Sequence, residues 1–269
     1  MITERQLKFR EQYKSNISPM YNGLLHIVVM YIVAIGAVWY AVSQLRQPTW
    51  EWFLIIPVFL AGNFAEWFMH RFVMHRRVDV WGLREIYNRH TRQHHQYFTD
   101  QLSTIDTTRE FRIVFFPWRV LATLGVGGGV LGYATSLVLN ANAGWMVFLT
   151  MVGQYVIYET FHYCCHCHEN WFVRNMPFIN TIRRHHTAHH NMGIMMKYNM
   201  NLTFPIADWY MGSSDLRRGL LGHLFNGYSD KHVKEELRPI IAKFRDDHSR
   251  VTLDGPILTD DEKRAMTAI

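Results

Sequence analysis

Cysteine is scarce and badly placed for cross-linking: Cys164, Cys165 and Cys167 are the only three among 269 residues. An odd, crowded set argues against a secreted disulfide framework and for a reducing compartment. The start of the chain lacks the apolar core of a cleavable signal peptide, because its first twenty residues are polar and charged. A first membrane span would then serve as an internal signal. No solenoid-period repeat and no low-complexity linker interrupts the chain. An acidic excess is missing as well, since 28 Lys and Arg outweigh 22 Asp and Glu for a net charge of +6. That balance suits an anionic membrane surface or nucleic acid. Without any nucleic-acid recognition motif beside it, no nucleic-acid partner is expected.

What the chain does have is long apolar runs. The mean hydropathy of −0.10 hides them by averaging apolar blocks with very polar ones. Leu24 to Val42 is apolar apart from His26, and Trp52 to Met69 follows with Pro57 inside it and Asn63 and Glu66 near its end. Val120 to Leu139 carries Gly125, Gly127, Gly128, Gly129 and Gly132, which permit close helix contact, and Gly144 to Phe161 is a fourth run. Each is long enough to cross a bilayer. Core helices of a soluble protein are the alternative, but a core helix rarely lacks a polar face over such a length. Basic residues orient the spans: Arg5, Lys8, Arg10 and Lys14 precede the first, and Arg71, Arg76, Arg77, Arg84, Arg89 and Arg92 lie between the second and third. The first loop holds only Arg46, and Asn140 to Ala143 holds no basic residue. The positive-inside rule then puts both termini in the cytosol. The expected fold is all-α and integral to the membrane, with four transmembrane helices in two hairpins. Residues 70–119 and 162–215 would form a cytosolic helical cap. Residues 1–215 are read as this domain and 216–269 as a charged cytosolic tail, in which Lys231 to Asp247 could form one amphipathic helix.

Histidine is the unusual residue. Of 16 histidines, 12 fall between positions 70 and 190, in four groups that lie in or border the two cap segments. Residues four apart share a helix face, so His90 with His94, His162 with His166 and His186 with His190 each suggest a two-pronged clamp. In an adjacent pair the second ring points toward a neighbouring metal. His70 and His75 stand five apart, which predicts a helix end or bend between them. One metal takes about four to six ligands, so this number of imidazoles suits two ions sharing a pocket. Structural zinc with cysteine ligation is the rival for the Cys164–His168 run, although no second cysteine pair exists to complete it. His168 lies off the His162/His166 face and is left out. His26, His223, His232 and His248 read as isolated core or surface residues. Metal-bound imidazoles commonly donate their other N–H to a carboxylate, and Glu66, Asp100, Glu159 and Asp208 are placed to accept it. Arg183 and Arg184 are candidates to attract a phosphate or carboxylate head group.

Four motifs carry a family resemblance: Glu66-Trp-Phe-Met-His70-Arg-Phe-Val-Met-His75, His90-Thr-Arg-Gln-His94-His95 followed by Asp100, Tyr158-Glu-Thr-Phe-His162-Tyr-Cys-Cys-His166, and Arg184-His185-His186-Thr-Ala-His189-His190. In order, between apolar hairpins, they resemble the histidine boxes of the fatty acid hydroxylase superfamily, which includes fatty acid 2-hydroxylases, sterol hydroxylases and desaturases, and carotenoid hydroxylases. The likeness is greatest to fatty acid 2-hydroxylases, with Phe116-Pro117 matching a Phe-Pro of theirs. It implies ten metal ligands: His70, His75, His90, His94, His95, His162, His166, His186, His189 and His190. The doubled His185-His186 offers two choices for one ligand, and His186 is taken.

The resemblance further implies an O2-dependent di-iron monooxygenase that hydroxylates a lipid, a fatty-acyl chain or a lipid-linked acyl group. Two iron ions would be the cofactor and O2 the co-substrate, with zinc as a purification artefact. The chain has no room for a fused cytochrome domain, so a separate electron donor, a ferredoxin or a cytochrome b5 type with its reductase, is expected. A lipid or sterol desaturase on the same site is the alternative. A histidine-rich metal transporter is a further rival, which would favour ionisable ligands near the bilayer midplane. With no retention signal evident, a bacterial cytoplasmic membrane is preferred to the endoplasmic reticulum.

Overall fold

A computed structural model describes residues 3–241 and the backbone of 251–252 and 255–256. Nearly all regular structure among them is helical. In chain order the α-helices are α1 (Glu4–Ser15), α2 (Gly23–Ser43), α3 (Ile55–Met69), α4 (Trp81–Arg89), α5 (His95–Tyr97), α6 (Phe111–Val114), α7 (Trp118–Val138), α8 (Ala141–His166), α9 (Trp171–Asn175), α10 (Ile179–His189), α11 (Ile206–Tyr210) and α12 (Leu220–Leu224). Among the described residues a short strand pairing joins Val251–Thr252 to Gly255–Pro256. Side-chain caps start several helices. Asn22 accepts from Leu25 N at α2, Asn140 from Ala143 N at α8 and Asn170 from Val173 N at α9, as short polar N-cap residues do.

Among the described residues three helices are long and apolar enough to cross a membrane: Gly23–Ser43, the continuous helical stretch Trp50–Met74, and Trp118–Val138. Their outer faces explain why water is the wrong solvent. Ile32, Ile35, Val126, Val130, Leu131 and Leu137 are each more than half exposed. Moving such side chains from water to hydrocarbon is worth roughly 1.5–3 kcal/mol apiece. For six of them the total is on the order of 10 kcal/mol, comparable with the whole net stability of a domain.

The fourth apolar run is helical but different in kind. α8, 26 residues long, packs against α2, α3, α7 and α10. Surrounded by protein, it can hold Thr150, Tyr155, Glu159, His162 and His166, all buried. Those residues lower its apolarity, and α8 is not among the helices that qualify on composition. Only part of the glycine stripe serves close approach. A Cβ on Gly132 would stand 2.7 Å from Gly144 O of α8, whereas Gly125, Gly127 and Gly129 face open space. At the other end of the bundle, Asn140 Nδ2 donates to Glu51 (3.0 Å) and Asn142 Nδ2 to Arg46 O (2.9 Å), tying the α2–α3 connection to the α7–α8 turn.

The cap is fastened by buried polar contacts. Arg10 of α1 is buried and donates to Thr104 O (3.0 Å) and to the fully buried Glu110 (3.4 Å). The segment after Asp215 joins the same body: Leu216, Val233, Leu237 and Ile241 form a core with Ala188 and Ile194. Among the described residues of Lys231–Asp247 only 238–241 are α-helical. Before them Val233 bridges to Leu216 and Glu235–Leu237 is a 3-10 turn, with Val233, Leu237 and Ile241 packed in one cluster with Ala188 of α10. Residues 242–247 lie outside the described residues.

Candidate metal centre

All ten predicted ligands are buried, the most exposed being His90 at 8%. Nine of them fall into two compact groups. The first is His70, His75, His90, His95 and His189, and the second is His94, His166, His186 and His190. His162 adjoins the second, with its Nε2 3.4 Å from His94 Nε2. The two groups touch, since the His95 and His190 rings lie 4.4 Å apart. Each group draws on three separate stretches of chain, so neither exists before the cap is assembled.

Local backbone geometry decides which rings meet. His70–Met74 and His90–His94 are π-helical, and His75 N and His95 N donate to the carbonyls of His70 and His90. The expected end or bend between His70 and His75 is a wider last turn, after which the helix ends at its C-cap, His75. An i→i+5 turn puts residues five apart on one face. It brings His70 Nε2 to 3.2 Å from His75 Nε2, and His90 Nε2 to 3.1 Å from His95 Nε2. The same turn corrects the His90/His94 clamp: these rings stack at 5.2 Å but belong to different groups. In α10 the ordinary pitch holds, and His186 and His190 meet at 3.0 Å between Nε2 atoms. The adjacent pairs His94/His95 and His189/His190 split between the groups as the sequence predicted.

The outer ring nitrogens fix the tautomers. A carbonyl oxygen can only accept, so an Nδ1 bonded to one must carry the proton. His94 Nδ1 donates to Ile113 O (3.3 Å), His166 to Ser103 O (2.7 Å), His189 to Tyr198 O (2.9 Å) and His190 to Phe98 O (3.2 Å). His70 Nδ1 donates to Met200 O. His75 Nδ1 points at Thr91 Oγ1 (3.4 Å), whose own hydroxyl donates to Met74 O. With the protons outward in these six rings, their inner Nε2 atoms present lone pairs. His75 and His189 Nε2 lie 3.0 Å apart and cannot hydrogen-bond to each other in these tautomers. Such converging lone pairs fit a bound cation, and an all-imidazole donor set suits iron, zinc or copper.

Three of the four expected carboxylate partners behave differently from expectation. Glu66 binds Leu202 N, Thr203 N (3.0 Å) and Thr203 Oγ1 (2.6 Å). Glu159 accepts from Phe116 N at 3.2 Å, and Asp100 from Asn191 Nδ2 at 2.8 Å. Asp208 takes His185 Nε2 (3.0 Å), Asn201 N (2.6 Å) and Ser213 Oγ (2.6 Å). For Glu66, Glu159 and Asp208 the correction is that they brace backbone and neighbouring loops rather than a ligand imidazole. For five of the ten rings backbone carbonyls do that task instead, and they add no charge to the ligand shell. Glu66 and Asp208 together pin residues 201–203, next to the Met200 carbonyl that holds His70. This also separates His185 from His186, for His185 is the ring paired with Asp208 and His186 the ring in the cluster.

The remaining candidates lie elsewhere. The three cysteines are buried, free thiols outside both imidazole groups. His168 pairs with Asp106 (3.3 Å), and His26 with Tyr21 and Phe116 O. His223 is buried near Gly219 O and His232 is exposed, while His248 lies outside the described residues. Arg183 and Arg184 are buried and cannot meet a head group: Arg183 donates to Cys164 O and Cys167 O, and Arg184 pairs with Asp215 at 2.6 Å. The carbonyl partners, from Phe98 to Met200, were invisible to sequence reasoning because a backbone oxygen has no residue signature. Asn63, buried within a span and bonded to Phe204 O (2.8 Å), was the available hint that this loop matters.

Burial, then neighbouring imidazoles, pushes His75, His90, His95, His186 and His189 well below their ordinary value of 6.5. The unfolded chain then binds more protons than the folded one below that value, so stability rises with pH. The metal-free protein should keep a constant urea midpoint from pH 8 to about 7 and lose stability progressively as pH falls below about 6.5. Equilibrium unfolding in detergent across that range checks it, and a flat profile down to pH 5 would contradict it. No family model matches the chain, and no curated protein or solved structure is significantly similar to it.

Proposed function

We propose that the chain is a multi-pass membrane di-iron monooxygenase of the fatty acid hydroxylase superfamily, acting on a fatty-acyl chain or lipid-linked acyl group. The observation that carries this reading is the convergence of ten buried, neutral imidazoles, nine of them in two adjoining groups, with the outer nitrogens of five committed to backbone oxygens. Bound iron would supply the oxygen-activating redox chemistry that attack on an unactivated C–H bond requires and that zinc lacks. The protein's own part is to hold the imidazoles in fixed tautomers, leave the metal charge uncancelled and keep bulk water out. The ligands sit at the ends of spans in a closed shell, which favours a resident cofactor over a transported ion. In this reading α8 is the fourth span, and α2, α3, α7 and α8 form two hairpins. The Glu51–Asn140 and Arg46–Asn142 contacts would close the far end, and Arg71, Arg76, Arg77 and Arg84 would flank the cytosolic end, as the positive-inside rule demands. Electrons would come from a separate ferredoxin or cytochrome b5 type donor with its reductase.

Purification in mild detergent under anaerobic, iron-replete conditions should give about two irons per chain, in line with the usual ligand count per ion. Expressing cells should gain a lipid heavier by one oxygen atom, labelled when the gas is 18O2. A lipid lighter by two hydrogens would move the reaction to desaturation. Zinc alone with an unchanged lipid profile would sink the oxygenase reading.

A further inference from the structure

The stretch that follows the last histidine group runs back along a membrane helix instead of staying in the cap. Asn63, seven residues before His70 in the Trp50–Met74 span, donates to Phe204 O (2.8 Å) and accepts from Ala207 N (3.0 Å). At 1.5 Å per residue, those contacts lie about 10 Å below the level of His70. Phe204 reaches further, packing on Phe59 at 5.6 Å and on Phe161 of α8 at 5.5 Å. Tyr210 lies against Phe64 at 5.5 Å.

Two properties suit this segment to hydrocarbon. Its polar backbone is matched by protein: Asn63, Glu66 and Asp208 take the amides of Ala207, Leu202, Thr203 and Asn201. Irregular backbone at membrane depth is tolerated only under that condition. Its outward face carries no charge, because Asp208 is fully buried while Trp209 (39%), Tyr210 (71%) and Met211 (48%) are exposed. Phe68 of α3, also exposed, continues the same apolar surface.

We infer that residues 204–211 form a short re-entrant element seated in the bilayer leaflet on the metal-site side, with lipid as the partner of its exposed Trp209–Met211 face. Tyrosine and tryptophan at that level sit at the hydrocarbon boundary, where aromatic belts are found. The inference rests on the Trp50–Met74 helix crossing a membrane and not on the chemistry at the metal centre. It also gives the Met200 carbonyl, and through it His70, a mechanical link to the lipid phase.

Single cysteines at Tyr210, Val33 and Arg77 test it in the full-length protein, each labelled with bimane in phosphatidylcholine vesicles. The three native cysteines are buried, and the parent protein supplies the background. The Tyr210→Cys label should be quenched by phosphatidylcholine with bromines high on the acyl chain, several-fold more than the Arg77→Cys label. It should resist aqueous iodide as the Val33→Cys label on α2 does. Quenching by iodide without quenching by bromolipid would overturn the inference. So would shielding from both, which would mean that a second copy covers the face. Met211→Cys repeats the measurement if Tyr210→Cys does not fold. Failure of the Val33 label to meet bromolipid would remove the membrane reading itself, a result distinct from failure at Tyr210 alone.

Discussion

Replacing His189 by alanine is expected to leave the chain with one firmly held metal ion instead of two. His189 belongs to the five-imidazole group, and its Nε2 is 3.0 Å from that of His75. Its Nδ1 is fixed on Tyr198 O, so the ring is oriented before a metal arrives. Outer partners alone are worth about 10–100-fold in metal affinity, and removing a ligand outright should exceed about 100-fold. His166→Ala should do the reverse, emptying the four-imidazole group while the first keeps its ion. Metal analysis after dialysis against a weak chelator checks both variants. Equal loss of both ions from each would mean that the groups do not act as separate sites. If the proposed di-iron oxygenase reading holds, lipid oxidation vanishes in both, since that reading assigns the work to two ions.

The second large effect is expected at a residue that touches no ligand. Glu66→Ala should weaken metal binding in the five-imidazole group by about 10–100-fold, the range for loss of an outer partner. Glu66 is joined to Leu202 N, Thr203 N and Thr203 Oγ1, and it holds the loop whose Met200 carbonyl accepts from His70. Without the carboxylate two buried amides lose their acceptor, at about 1–3 kcal/mol each, and the loop moves to recover it. Glu66→Gln keeps one acceptor oxygen for the amides and can donate to Thr203 Oγ1, so it should recover most of the affinity. Metal titration of the two variants, with the His94 group as internal reference, separates this role from direct ligation. If Gln behaved like Ala, the negative charge and not the loop anchor would be the operative feature.

Neither effect is predictable from the order of residues alone, and the reason is the same in both cases. Helical spacing suggested that His90 and His94 form one clamp. A π-turn sends them to different groups and pairs His90 with His95. Whether a helix takes an extra residue into a turn depends on whether the packed site repays the distorted hydrogen bonds, which is a property of the assembled cap. Glu66 was singled out because it shares a helix face with His70, a true local fact. Its partners are 136 and 137 positions away, beyond any periodicity.

What the sequence by itself determined is what local chemistry dictates. Apolar runs of bilayer length became the helices Gly23–Ser43, Trp50–Met74 and Trp118–Val138. Histidines at helical spacing, too many for one ion, became two clusters, and the adjacent pairs His94/His95 and His189/His190 split between them. Tertiary structure alone decided which imidazole joins which cluster, that backbone carbonyls and not carboxylates orient five of the rings, and that α8 is a helix surrounded by protein with a polar inner face. Hydropathy and spacing are carried by neighbouring side chains and survive in the unfolded chain. Backbone oxygens from Phe98, Ser103, Ile113, Tyr198 and Met200 look alike in every sequence. They acquire a role only when the fold brings them within 3.3 Å or less of an imidazole N–H.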